Sequence, residues 1–209
     1  MQPSSAVIFL IDDDEAVRDS LQWLLKSHNK KVKNFESAEA FLASEDLTES
    51  IGCILTDIRM PGMSGLELQT HVRQLAPQLP IILMTGHGDI PMAVQSMQNG
   101  AFDFIEKPFS EEDLIQRIHR CLTYVAEQVD EQEQLKVIRL RIADLTPRET
   151  EVMERMVQGR MNKQIADDLG ISIKTVELHR ARVMEKMEAP SLADLVRQIL
   201  LVQTKSNNS

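Results

Sequence analysis

GCILTDIRMPGMSG, residues 52–65, reads as a buried strand that ends on a carboxylate and runs into a tight loop. Cys53, Ile54 and Leu55 form the unbroken apolar run of a central parallel strand, covered on both faces. Asp57 then stands at the carboxyl end of that strand, where open α/β sheets place their ligands. Pro61, Gly62 and Gly65 punctuate the loop, and Leu66 opens a pattern with helical spacing. A lone carboxylate at such a place also serves simply to cap a helix, so the rest of the chain has to decide.

Outward from this stretch the same alternation repeats. Val7–Ile11 is an apolar run stopped by Asp12-Asp13-Asp14-Glu15, and Val17, Leu21, Leu24 and Leu25 follow at helical spacing. Val32–Phe35 is a weaker strand, expected at an edge. Ser37 caps a short helix to about Glu45, with Ala38, Phe41 and Leu42 inward. A helix from Ser64 to about Leu75 follows the central strand. Pro80–Thr85 is a fourth strand, Met92–Gln98 a short helix stopped by Asn99-Gly100, and Asp103–Lys107 a fifth strand closed by Pro108. Five strand–helix alternations predict a doubly wound α/β domain on a parallel sheet.

From Ser110 the texture changes, with no Gly or Pro between Pro108 and Pro147. Leu114, Ile118, Cys121, Leu122, Val125 and Val129 make an apolar stripe that Leu135, Ile138 and Ile142 resume. One long helix acting as a linker is the simplest reading, roughly 50 Å if unbroken. The polar patch Glu127–Gln134 is where it would be interrupted. Thr146-Pro147-Arg148-Glu149 is a capping box with Pro at the first helical position. Val152, Met153, Met156 and Val157 line that helix, which Gly159 ends. Asn162 opens a second, with Ile165, Ala166 and Leu169 inward, ended by Gly170. Ser172 caps a third to about Met187, with Ile173, Val176, Val183 and Met187 facing the core. Ser191 and Asp194 form another capping box before Leu195, Ile199 and Leu200, and Gln203–Ser209 read as a disordered end.

Composition narrows the function classes. The chain of 209 residues carries a net charge of −9 that is unevenly spread. Residues 1–124 hold 10 Lys and Arg against 18 Asp and Glu, whereas residues 145–209 hold 10 against 9. No apolar run reaches the ~18 residues of a membrane span, and Met1–Ser5 lacks the charged and apolar regions of a signal peptide. Cys53 and Cys121 are read as reduced thiols of a cytoplasmic protein rather than as a disulfide framework.

In a parallel sheet the strand ends gather at one edge, which brings together Asp12, Asp13, Asp57, Thr85 and Lys107. Crowded carboxylates repel unless a cation sits among them, and oxygen donors of this kind suit Mg²⁺. Lys107 adds a compact positive charge and Thr85 a hydroxyl, so the set is suited to stabilising a phosphoryl group, with Asp57 as nucleophile. Taken singly, Asp12–Asp14 also read as a helix cap and Lys107 as a turn residue.

FLIDDDEAVR, ILTDIRMPGMSGLEL and IILMTGHGDIPMAVQSMQNGAFDFIEKPF give the first ~125 residues a long, in-register resemblance to the receiver domain of two-component response regulators. The resemblance implies a sheet of order 2-1-3-4-5; a receiver of this type is the stock example of that order. It implies that Asp57 takes phosphate from the phosphohistidine of a sensor kinase. Asp12, Asp13 and Asp57, with the backbone carbonyl of Arg59, would hold Mg²⁺. Thr85 and Lys107 would bind phosphoryl oxygens, and Phe104 matches the family's switch aromatic, its plain alternative being a core Phe on the fifth strand.

Asn162–Met187, NKQIADDLGISIKTVELHRARVMEKM, has the spacing of a helix-turn-helix. Its second helix is amphipathic and suited to a major groove, with Lys174, Thr175, Glu177, His179, Arg180, Arg182 and Lys186 polar. Asn162 and Lys163 open the preceding helix, where phosphates bind. The near-zero local charge, with Glu177, Glu185 and Glu188 on that helix, keeps a protein-binding helical bundle as the alternative. Residues ~143–205 resemble the four-helix LuxR-type domain, and TVELHRARVMEKM together with the receiver motifs is similar to the FixJ subgroup.

The expected organisation is therefore a receiver at 1–124, a helical linker at 125–142 and an all-α helix-turn-helix domain at 143–209. The expected activity is that of a phosphoacceptor and DNA-binding regulator, not an enzyme. It dimerises on phosphorylation through the fourth helix, fifth strand and start of the linker helix, and binds promoter DNA to regulate, and activate, transcription with RNA polymerase. A competing reading takes Asp12-x-Asp14 as the nucleophile motif of a haloacid dehalogenase-type phosphatase; it leaves Asp57 and its loop unexplained.

Overall fold

A computed structural model describes residues 6–86 and 90–206, so the expectations for Met1–Ser5 and for residues 207–209 lie outside it. The chain divides into two compact units, residues 1–129 and 130–209. The first alternates β1 (Val7–Ile11), α1 (Glu15–Ser27), β2 (Lys31–Phe35), α2 (Ala38–Ser44), β3 (Gly52–Asp57), α3 (Gly65–Leu75), β4 (Ile81–Thr85), α4 (Ile90–Gln98) and β5 (Asp103–Glu106). Among the described residues these strands form one five-stranded parallel sheet of order β2-β1-β3-β4-β5, the doubly wound arrangement expected. β2 is the partly exposed edge strand that its weak pattern predicts.

Strand side chains alternate between two cores, because successive residues of a strand face opposite ways. Phe9, Ile11, Ile54, Ile81 and Leu83 pack with Phe41 of α2 and with Leu68 and Val72 of α3. Ile8, Leu10, Cys53, Leu55, Ile82 and Met84 pack on the other face with Leu21 and Leu25 of α1 and with Leu114, Ile118 and Cys121 of α5 (Glu111–Ala143). Both thiols are free and buried. A hydrogen bond with Cys53 and burial push the Cys121 thiol far above its ordinary pKa, so it is an inert core residue.

Register decides which residues meet at the strand ends. Ile11 lies opposite Thr56, so Asp12 comes level with Asp57. Asp57 lies opposite Met84, and Thr85 opposite Glu106, so Thr85 and Lys107 follow one step on. Gly65 is required at this edge: a Cβ there would stand 2.2 Å from the Asp57 carbonyl oxygen and 3.1 Å from Ile58 Cα. The simplest reading, one long helix, holds: α5 runs unbroken through Glu127–Gln134. Glu and Gln are good helix formers, and Gln134 Nε2 donates to Asp130 Oδ2 four residues back at 2.8 Å.

The second unit packs the end of α5 with α6 (Pro147–Val157), α7 (Asn162–Leu169), α8 (Ile173–Lys186) and α9 (Leu192–Ser206). Ile138, Val152, Met153, Met156, Ile165, Val176, Val183, Met187, Leu195 and Ile199 are its core. Ile173, expected in this core, is not in it, and Leu200, beside Ile199, is outside it too. Ile173 is 46% and Leu200 49% exposed. At about 100° per residue, Ile173 falls roughly 60° off the row of Val176, Val183 and Met187, and Leu200 about 100° off Ile199. Nor is Gln203–Ser206 a disordered end: α9 runs through it, tied by Lys205 Nζ to Glu131 at 3.0 Å. Gly170 takes the left-handed conformation (φ 65°) that ends α7 and makes the turn into α8.

Glu149 holds the start of α6. Its carboxylate accepts the Thr146 backbone N–H at 3.0 Å and Lys186 Nζ at 2.9 Å, and the residue is 2% exposed. The Thr146 backbone bond, then the Lys186 bond, outweigh burial and hold its pKa down to about 2. A carboxylate with a depressed native pKa stabilises the fold fully above its unfolded value of ~4.3, and the contribution is lost as pH falls towards 2. Glu149→Gln is expected to lower the stability of the second unit by on the order of 2–3 kcal/mol at pH 7, and to flatten its pH dependence between about 4.5 and 2. Urea titrations followed at the amide signals of residues 146–187 test this, and an unchanged midpoint at pH 7 contradicts it.

Candidate functional site

Asp12, Asp13 and Asp57 converge at the carboxyl edge of the sheet, each offering one carboxylate oxygen, all within 4.8 Å of one another. Lys107 reaches them from the end of β5. Its Nζ lies 2.9 Å from Asp12 Oδ2 and 2.9 Å from Asp57 Oδ2. Burial draws the Lys107 pKa down, but the hydrogen bonds to Asp57 and Asp12 outweigh it, and the ammonium stays charged, its pKa above the ordinary lysine value. Asp12 is buried, the Asp57 side chain is 17% exposed and Asp13 is exposed. The nucleophile candidate is thus reachable from solvent while its neighbour is locked in place.

Each group is positioned by local structure. Asp12 Oδ1 accepts the Asp14 N–H at 3.0 Å, and Asp14 caps α1 through the N–H groups of Ala16 (2.8 Å) and Val17 (3.3 Å). Asp14 is thus spent on the α1 cap, the plain helix-cap reading of that residue. Thr85 is buried at the end of β4; its hydroxyl donates to the Ile105 carbonyl at 3.4 Å, and its own carbonyl accepts the Lys107 N–H at 2.7 Å. The Arg59 N–H donates to Asp57 Oδ1 at 3.4 Å. Phe104, on β5, is half-buried and packs against the core that contains Leu83. Three hard oxygen donors around one point fit a divalent cation such as Mg²⁺.

The second unit presents α7 and α8 as a helix-turn-helix. Lys163, Lys174, Glu177 and Arg182 are exposed, while Asn162, Thr175, His179 and Arg180 are half-buried. The Thr175 hydroxyl lies 2.8 Å from the Ser172 hydroxyl at the α8 cap. Lys186 is placed elsewhere. Its ammonium is engaged by Glu149 and by the Asp144 carbonyl, both at 2.9 Å, and serves the fold of the unit.

Residues 8–119 match the response regulator receiver domain, and residues 143–199 the luxR family of bacterial regulatory proteins. The chain belongs to the response regulators. It is 47% identical over 199 residues to the transcriptional regulatory protein FixJ of Azorhizobium caulinodans, covering 95% of this chain and 94% of that one. It is 43% identical over 198 residues to the response regulator protein TmoT of Ectopseudomonas mendocina, covering 94% and 89%. Among solved structures it is similar to the response regulator StyR, with a TM-score of 0.83 at 40% identity over 94% of this chain and 98% of that one. It is also similar to full-length FixJ from B. japonicum, with a TM-score of 0.60 at 41% identity over 97% and 99%. The chain is thus a two-component response regulator of the FixJ subgroup, a transcription regulator with a receiver and a luxR-type DNA-binding domain. Among its described residues no helix is long and apolar enough to cross a membrane.

Some residues at this edge escape a reading by motif. Arg18 reaches back from α1 to the Asp12 carbonyl at 2.7 Å. Glu39 accepts the Met63 N–H at 2.7 Å and so fixes the loop that follows Asp57. Arg18 lies one turn past the α1 cap, a position from which a long side chain returns to the strand end. Glu39 carries no such signal. Gly65→Ala is expected to destabilise the receiver by about 1–3 kcal/mol, as overpacking does, and to shift the Asp57 amide. Thermal melting and the Asp57 amide resonance measure the two, and an alanine variant that matches wild type in both contradicts the steric account.

Proposed function

We propose that Asp57 accepts a phosphoryl group from the phosphohistidine of a sensor histidine kinase, and that the phosphorylated chain dimerises and binds promoter DNA to activate transcription. The observation that carries this reading is the Asp57 carboxylate, open to solvent, held by Lys107 Nζ at 2.9 Å and surrounded by oxygen ligands fit for a cation. In the transfer, an Asp57 oxygen forms a bond to phosphorus while the N–P bond to the donor imidazole breaks. The electron pair leaves on the imidazole nitrogen, which takes up a proton. The phosphoryl group brings further negative oxygens into an acidic site, so stabilising charge is the main task. Lys107 lies where its ammonium can turn from the Asp57 oxygen to a phosphoryl oxygen. Thr85, whose bond to Ile105 is long, has a hydroxyl free to turn to another. Asp12, Asp13, Asp57 and the Arg59 carbonyl would hold Mg²⁺, which would supply electrostatic stabilisation of the phosphoryl oxygens.

Inward movement of Thr85 vacates space for half-buried Phe104 to follow, which changes the face built from α4, β5 and the start of α5. Pairing of that face between two chains brings two DNA-binding units together, so avidity raises affinity without a new protein–DNA contact. On DNA, Asn162, Lys163, Lys174, Thr175, Glu177, His179, Arg180 and Arg182 form the contact set, and RNA polymerase is the partner through which activation is read out. The cytoplasm is the compartment that supplies these partners, and the two free thiols fit it.

Intact mass and sedimentation with acetyl phosphate and Mg²⁺ test the reading on wild type and Asp57→Asn. Wild type is expected to gain one phosphoryl group and to dimerise, with both changes lost in Asp57→Asn and in wild type treated with a chelator. Phosphorylation that persists in Asp57→Asn refutes the assignment of the nucleophile. Phosphorylation without dimer formation refutes the switch and leaves the nucleophile standing.

A further inference from the structure

α8 turns an aliphatic side chain outward. Its inward row is Val176, Val183 and Met187, all fully buried. The opposite row, at i, i+4, i+7 and i+11, is Lys174, Leu178, Ala181 and Glu185, and all four are exposed. Leu178 sits in the middle of that row at 51% exposure, with Glu177 and Arg182 exposed on either side. Solvated helix faces are usually polar, and here the two central positions are Leu and Ala between charged flanks. A helix lying in a major groove presents its flanks to phosphates and the centre of its outer face to base edges. On those edges the one apolar group is the C5 methyl of thymine.

We infer that Leu178 is a specificity-determining residue of α8 that packs its side chain on the C5 methyl of a thymine in each half-site. The inference rests on the DNA-binding half of the proposed function. Ala181, one turn further, is short enough to let the base edge approach Leu178. Lys174 and Arg182 frame the contact with charge, and Leu178 adds no hydrogen bond of its own. Recognition through a methyl alone has a sharp consequence, because uracil presents the same hydrogen-bonding edge as thymine without the methyl.

The test uses the full-length chain treated with acetyl phosphate and Mg²⁺. Sites are enriched from a random duplex pool, and each thymine of the enriched site is then replaced by uracil in turn. Wild type is expected to lose about fourfold in affinity at one thymine per half-site, the scale of one buried methyl. Leu178→Ala is expected to bind thymine and uracil duplexes equally. Leu178→Met, which keeps an apolar side chain, is expected to retain part of the discrimination. Leu178 is solvent-exposed, so both variants should fold, and far-UV circular dichroism checks it. Equal binding of thymine and uracil by wild type at every position overturns the inference and leaves the DNA-binding reading intact. Full discrimination retained by Leu178→Ala does the same. Failure to enrich any site overturns both.

Discussion

The first unit is organised around one electrostatic constraint: three carboxylates from two strand ends share a volume that holds them only with positive charge among them. Lys107 supplies part of that charge, bridging Asp12 and Asp57 at 2.9 Å each. Bringing Asp12 and Asp57 together needs the β1–β3 register, and bringing Lys107 to them needs the β4–β5 register. A slip of one residue in either pairing would turn the side chains of that strand to the opposite face, so packing in the two cores and charge balance at the edge select the same alignment. Breaking such a pair leaves a partly buried charge uncompensated, a larger penalty than the pair's own net stabilisation. The cluster is therefore a poor stabiliser and a good place for a ligand that brings or redistributes charge.

Most of this is legible in the sequence because it rests on short periods. Unbroken apolar runs such as Cys53–Leu55 mark strands covered on both faces, and acidic or turn residues mark their ends. The residues that escaped depend on distance in space rather than spacing in sequence. Glu39 meets Met63 across 24 residues, and Lys186 meets Glu149 across 37. A sequence shows Lys186 as a polar residue on an amphipathic helix; only the fold shows that its charge is already committed. The same limit explains Glu127–Gln134, where polarity suggests a break although the residue types favour helix.

Helix faces in the second unit show how narrow the margin is between inside and outside. Ile173 and Leu200 have the chemistry of core residues and lie only about 60° and 100° of helix rotation from residues that are buried. Hydrophobicity alone places them inward, and the angle along the helix places them outward. Leu178 is different in kind, because it lies opposite the buried row and no reading of the period would send it to the core. Scattered apolar residues are common on protein surfaces, and position distinguishes this one: the centre of the outer face of the second helix in a helix-turn-helix.

The two units also divide their charge in a way that bears on how binding is controlled. The receiver portion is acidic and the DNA-binding portion nearly neutral, so counterion release by one copy gives little affinity to begin with. A strongly basic domain would hold DNA whatever the state of the receiver. A weakly charged one depends on shape, on a few base contacts and on the presence of a second copy. In the proposed switch, weak electrostatic binding by each DNA-binding unit is what would let a change at the carboxylate cluster matter: the dimer would multiply two small affinities, and the monomer would be left with one.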